Sequence, residues 1–219
     1  MNERILNLRP YFVIGGINAL LLLLTVIGYS WFAQGQAQSL NDFGQAPTFT
    51  LTDQLERPVT SEEFRGKVVI ANFIYTHCLD ICPLLSAQMK NLQDRLREEQ
   101  LLGGQAQLLS FTVDPARDTP AVLRAYAAGY QADPLAWRFL TGPPEILTPL
   151  IVAGFHLGVE ALPPPTASVH EHSGAPSYEV MHSGRFVLID RQGRIRAYYD
   201  SQDFDPERIV SDIRALLEE

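Results

Sequence analysis

Lys67-Val-Val-Ile-Ala-Asn-Phe-Ile-Tyr75 is a near-continuous apolar run rich in β-branched residues. A strand with one wet face alternates apolar and polar side chains. A run without alternation is a strand buried on both faces. Such a strand needs structure packed above and below it, which selects a sheet covered by helices. The remaining pattern agrees with that choice. Phe49–Asp53 and Pro58–Thr60 predict a small hairpin, and Ala106–Val113 the next strand. Trp137–Leu140 predicts a third strand. Phe186–Asp190 and Arg194–Tyr199, joined at Gln192-Gly193, predict a final hairpin.

Helices alternate with these strands. One is predicted from Pro83 to about Glu99, with Gly103-Gly104 beyond it. A second starts at Pro120 with Asp118 or Thr119 as its cap. A third spans Pro144–Gly154, and a fourth opens at Asp205-Pro206-Glu207 and runs to Leu217. The order implies an α/β fold with a central mixed sheet and flanking helices. One segment breaks the pattern. From Pro163-Pro164-Pro165 to Ser177 there is no periodicity, and the stretch reads as an exposed loop carrying His170 and His172.

The N-terminal sequence has a different character. Arg4 and Arg9 precede a charge-free apolar run from Tyr11 to Phe32. As a helix, its roughly 22 residues would span about 33 Å, enough to cross a bilayer core of about 30 Å. Tyr11 at one end, with Trp31 and Phe32 at the other, match the interfacial positions of aromatic residues. No Lys or Arg follows until Arg57, so the positive-inside rule leaves the N-terminus in the cytoplasm. The expected organisation is a cytoplasmic segment 1–10, a transmembrane helix 11–32, a polar tether 33–45 and a globular domain 46–219. A cleaved signal peptide ending near Gly35-Gln36-Ala37 is the alternative, but the apolar run exceeds the usual h-region. In both cases the domain lies in an oxidising compartment. No Arg/Ser-rich transit peptide precedes the anchor. The expected location is therefore the inner membrane of a bacterium, with the domain in the periplasm, rather than a mitochondrial inner membrane. A net charge of −8 speaks against nucleic acid as a partner.

The chain has two cysteines, both in Thr76-His77-Cys78-Leu79-Asp80-Ile81-Cys82-Pro83. Four residues apart is about one helical turn, so on a helix both sulfurs would face one way. The pair could chelate a soft metal or close a disulfide. A disulfide across so short a loop would add only about 2 kcal/mol to stability. The segment also joins a predicted strand to a helix N-terminus, where N–H groups favour thiolate, the metal-binding and redox-active form. Two thiolates suit Cu(I), and an imidazole would complete a trigonal site. The five histidines are His77, His156, His170, His172 and His182. His77 adjoins Cys78 but would point away from it in an extended segment. His156 reads as a core or helix-end residue, and His182 precedes the Phe186 strand.

Four blocks in this order resemble the Sco/SenC family of membrane-anchored, thioredoxin-like copper proteins that assist cytochrome c oxidase assembly. They are Tyr75-Thr-His-Cys-Leu-Asp-Ile-Cys-Pro83, Ser110-Phe-Thr-Val-Asp-Pro-Ala-Arg-Asp-Thr-Pro120, Trp137-Arg-Phe-Leu-Thr-Gly142, and His182-Ser183 ahead of Phe186-Val-Leu-Ile-Asp190. The resemblance implies a thioredoxin-like fold and one copper ion, Cu(I) or Cu(II), held by Cys78, Cys82 and His182. It implies a copper donor protein and, as recipient, the dinuclear copper site of cytochrome c oxidase subunit II. Leu79 stands where the family has proline, and Met181 where it has aspartate before the histidine. Asp114 and Asp118 match signature positions, and turn or helix capping is their expected role.

The rival reading is a dedicated thiol–disulfide reductase that keeps the oxidase cysteines reduced by cycling a Cys78–Cys82 disulfide. General reductases of this fold use Cys-x-x-Cys opposite a cis-proline. Here the spacing is longer by one, and His182-Ser183-Gly184 stands where the proline would be. A peroxidase is disfavoured because the second thiol is so close and no peroxide pocket is evident.

Overall fold

The computed structural model describes Thr25 and residues 40–78, 80–157, 159–161, 180–182 and 184–219, with side chains in 159–161 and 180–182 excepted. Residues 40–219 form one compact unit. The expected transmembrane span 11–32 apart from Thr25, the first part of the tether and the 163–177 insertion lie outside the described residues. Among the described residues no helix is long and apolar enough to cross a membrane.

The strands are β1 (Thr50–Asp53), β2 (Pro58–Thr60), β3 (Val68–Ile74), β4 (Ala106–Thr112), β5 (Trp137–Thr141), β6 (Val159–Ala161), β7 (Val180–His182), β8 (Arg185–Ile189) and β9 (Ile195–Asp200). The helices are α1 (Ile81–Glu98), α2 (Pro120–Gly129), α3 (Pro144–Pro149) and α4 (Pro206–Glu218). Seven strands form one sheet in the order β2-β1-β5-β4-β3-β8-β9. β3, β4 and β5 run parallel, with Val68 opposite Ala106 through to Ile74 opposite Thr112. β1, β8 and β9 join antiparallel, which makes the sheet mixed as expected.

β3 is buried along its whole length, as its apolar run demands. Val68, Ile70 and Ile74 face the layer containing α1, α2 and α4, where Leu85, Met89, Leu123, Ile209 and Ile213 pack. Val69, Ala71 and Phe73 face the other layer, with Phe111, Leu147, Ile151 and Phe155. This is the period-2 alternation of a strand with two cores. Asn72 interrupts it and is satisfied in part by Ser110, whose hydroxyl donates to Asn72 Oδ1 at 2.6 Å and accepts from Trp137 Nε1 at 2.9 Å.

Two expectations are corrected. The helix predicted for Pro144–Gly154 is α-helical only to Pro149 and continues as a wider π turn, Leu150–Gly154. Pro149 has no N–H to sustain the α ladder. A second, two-stranded sheet pairs β6 with β7, with Val159 opposite His182. His182 is therefore the last residue of a short strand that ends three residues before β8 begins. Strands of three residues are too short to leave a periodic signal.

Candidate metal centre

β3 delivers the chain to the cysteine segment. Past Ile74 the backbone turns, and the Cys78 N–H donates to the Tyr75 carbonyl at 3.3 Å. Cys78 thus precedes α1, and only Cys82 lies on it, as its second residue. The sulfurs do not meet by sharing a helical face. They meet because the turn folds Cys78 back over the start of the helix.

The helix start explains that arrangement. Asp80 is the N-cap residue but makes no side-chain cap hydrogen bond. A cap normally accepts from the second or third helical N–H. The third residue is Pro83, which has none. The second is Cys82, and its N–H donates to Cys78 Sγ at 3.3 Å. The Cys78 sulfur therefore takes the capping role. Cys82 Sγ in turn accepts from the Tyr75 N–H at 3.5 Å. Each sulfur is held by a main-chain donor across the strand-to-helix turn.

Cys78 and Cys82 are not joined in a disulfide. Cys82 is fully buried, and Cys78 is 8% exposed. Burial pushes the Cys82 thiol up. The Tyr75 N–H opposes this, while the hydrogen bond with Cys78 and the charges of Cys78 and Asp118 add to it. The expectation that the helix N-terminus would lower the thiol is corrected for Cys82, because desolvation outweighs the hydrogen bond from the Tyr75 N–H.

A buried carboxylate braces the turn from the neighbouring strand connection. Asp118 accepts from the Thr76 N–H at 3.3 and 3.2 Å, from the Thr76 hydroxyl at 2.6 Å and from the Thr112 hydroxyl at 2.5 Å. Burial pushes its carboxyl up, and the hydrogen bonds from Thr112 and Thr76 hold it back. Of the two expected caps of α2, Thr119 is the one that caps it, accepting from the Val122 N–H. Asp114 pairs with Arg117, next to the turn. The brace from Asp118 to Thr76 crosses 42 residues and has no sequence signal beyond their membership of two matched blocks. Below Cys82, the Tyr126 hydroxyl donates to the Cys82 carbonyl at 3.4 Å and shares a 2.8 Å hydrogen bond with Ser86.

The β7–β8 junction closes on the same turn through Gly184. A Cβ there would lie 2.6 Å from both Ile81 Cδ1 and Ser201 Oγ, so the contact requires glycine unless those side chains move. The Ser201 N–H donates to the Gly184 carbonyl at 2.8 Å, and Gln88 of α1 donates to the Ser201 carbonyl at 2.8 Å. Ile81 sits between the two cysteines in sequence. His182 is two residues from Gly184, so its Cα lies within about 7 Å of the Gly184 Cα.

Cys78 and Cys82 are therefore brought together, and the backbone of His182 ends a strand close by. The side chains of His182 and Met181 lie outside the described residues, as do Leu79, His170 and His172. Among the described residues no three His, Cys, Asp or Glu side chains gather to hold a metal. His77 is exposed, with Nδ1 3.2 Å from the Thr76 hydroxyl. His156 is exposed at the end of the π turn, with φ of 55°. The arrangement offers two adjacent soft donors, the kind of pair that binds a soft metal or forms a disulfide.

The family SCO1/SenC matches residues 37–218. The SCO1 protein homolog of Bacillus subtilis (strain 168) is 31% identical over 168 residues, covering 76% of this chain and 80% of that protein. Among solved structures, Bradyrhizobium japonicum ScoI with copper bound is 25% identical. Its TM-score is 0.64, with 79% of this chain and 99% of that one covered. BsSco, described as a member of the Sco family of cytochrome c oxidase assembly proteins with a disulfide switch, is 27% identical. Its TM-score is 0.68, with 83% and 98% covered. Sequence and fold agree across the whole domain that carries the cysteine turn, and the chain belongs to the SCO1/SenC family.

Proposed function

We propose that this chain is a copper metallochaperone. It binds one copper ion through Cys78, Cys82 and His182 and passes it to the dinuclear copper site of cytochrome c oxidase subunit II. The observation that carries this reading is the cysteine pair itself. Two soft donors are held by main-chain N–H groups within one turn. Two thiolates and an imidazole suit Cu(I) and also accept Cu(II). Copper is cargo here, and loading releases the thiol protons that burial otherwise retains on Cys82. The copper-bound ScoI relative supports the same use of the fold. Residues 11–32 anchor the domain to the inner membrane on its periplasmic side, near a membrane-bound recipient, and a donor protein supplies the metal.

Titration of the protein with Cu(I) against a competing chelator tests the reading, with wild type compared to His182→Ala. One copper per chain is expected, with affinity lower by at least about tenfold in the variant. A wild type that takes up no copper tightly, yet whose dithiol efficiently reduces a partner disulfide, sinks the chaperone reading.

The second reading is a dedicated reductase for the recipient's cysteines. The contact between the Cys82 N–H and the Cys78 sulfur favours it, since it holds the Cys78 sulfur against the main chain of Cys82. The disulfide switch described for BsSco is of the same kind. In that step the two thiols give two electrons and two protons to the partner's disulfide and form a Cys78–Cys82 bond.

A further inference from the structure

Copper that reaches Cys78 and Cys82 must come from a donor in solvent, yet Cys82 is fully buried and Cys78 is 8% exposed. Ligand exchange needs an outer donor that a partner's copper can meet first. His77 is exposed and one residue from Cys78, about 3.8 Å between Cα atoms. Asp80 is exposed too, but a carboxylate is a hard donor and suits Cu(I) poorly.

Hydrogen bonding decides which nitrogen of His77 is free. The Thr76 hydroxyl has one hydrogen, and it goes to Asp118 at 2.6 Å. Asp118 also receives the Thr76 N–H and the Thr112 hydroxyl, as an acceptor would. Toward His77 Nδ1, 3.2 Å away, the Thr76 oxygen is left only to accept. Nδ1 therefore carries the ring hydrogen, and Nε2 keeps its lone pair. A carboxylate that fixes an imidazole through a hydrogen-bond chain is a common support for a metal-binding histidine.

We propose that Nε2 of His77 is the docking donor that receives copper before Cys78 and releases it last. Asp118, acting through Thr76, is the positioning residue. This rests on the copper reading above. Copper remains Cu(I) throughout, so no electron moves. The bond to the outside donor breaks as the Nε2–Cu bond forms. The Nε2–Cu bond then breaks as copper passes to Cys78, Cys82 and His182, and the two thiol protons leave to solvent.

Full-length protein in detergent micelles, with its dithiol reduced, is mixed with the coloured Cu(I)–bathocuproine disulfonate complex in a stopped-flow instrument. Loss of colour gives the loading rate, excess chelator added to loaded protein gives the release rate, and equilibrium competition gives the affinity. His77→Ala should slow loading and release by about tenfold, with a much smaller change in the equilibrium constant. Thr76→Val should slow both, and Thr76→Ser, which keeps the hydroxyl, should restore them. Wild-type rates in His77→Ala overturn the docking role and leave the copper reading intact. An affinity that falls as far as the loading rate, with release untouched, also overturns it, because His77 would then be a resident ligand. A wild type that takes no copper removes both.

Discussion

The N–H of Cys82 donates to the sulfur of Cys78 at 3.3 Å, so a candidate copper ligand is also the cap of the helix that carries its partner. Structure and function share one atom. The capping need arises because Asp80 does not cap and Pro83 cannot donate.

Cysteine 78 can therefore be replaced in two ways with different consequences. Cys78→Ser keeps an acceptor for the Cys82 N–H, whereas Cys78→Ala removes it. The alanine variant should be less stable than the serine variant by about 1 kcal/mol. That corresponds to about 2–4 °C in Tm for a domain of this size. Thermal melts of the two variants check this, and both should lose tight copper binding. Equal melting temperatures would mean that the sulfur does not cap.

The two thiols should also differ in reactivity. Burial raises the Cys82 thiol and shuts it from solvent, so little thiolate is present at pH 8. Timed alkylation by iodoacetamide, mapped by mass spectrometry, should label Cys78 first. Labelling of Cys82 should keep rising with pH up to pH 10, because its thiolate fraction is still growing there. Equal rates at pH 8 would contradict this picture of the site.

Removal of the brace at position 118 should cost more than a surface change. Asp118→Ala leaves the Thr76 N–H and two hydroxyls short of an acceptor in a buried place. The expected loss is about 2–4 kcal/mol, since each buried unsatisfied donor costs about 1–3 kcal/mol. Asp118→Asn retains one carbonyl oxygen and should lose less. Urea denaturation measures both, and an alanine variant as stable as wild type would argue against the brace.

Acid stability should depend on Asp53, far along the sheet from the cysteines. Burial alone would raise its carboxyl. Hydrogen bonds from the Arg57 side chain and from the N–H groups of Arg57 and Leu55 outweigh that, and the net direction is down. A carboxyl lowered by folding stabilises above its unfolded value of about 3.9, and the benefit is lost as pH falls through the folded value. Wild type should exceed Asp53→Asn in stability at pH 7, and the gap should close as pH drops below about 4. Urea melts of both proteins at several pH values give the comparison.

Much of the fold was legible because local signals and burial agreed. β3 lacks alternation because both its faces are covered, and α2 and α4 start at prolines preceded by capping residues. The π turn after Pro149 and the β6–β7 pair were not legible, since one depends on a local irregularity and the other on three-residue strands.

At the candidate site, the sequence by itself supplied the two candidate sulfur donors and their spacing, because cysteine chemistry belongs to the residue. It also marked the histidine candidates. Tertiary structure alone decided that Cys78 caps α1 from outside it, that burial raises Cys82, and that Gly184 docks beside Ile81. It also joined Asp118 to Thr76 across 42 residues. Hydrogen bonds and desolvation depend on which atoms the fold brings within about 3 Å, and no local pattern encodes contacts between parallel strands that are distant in sequence.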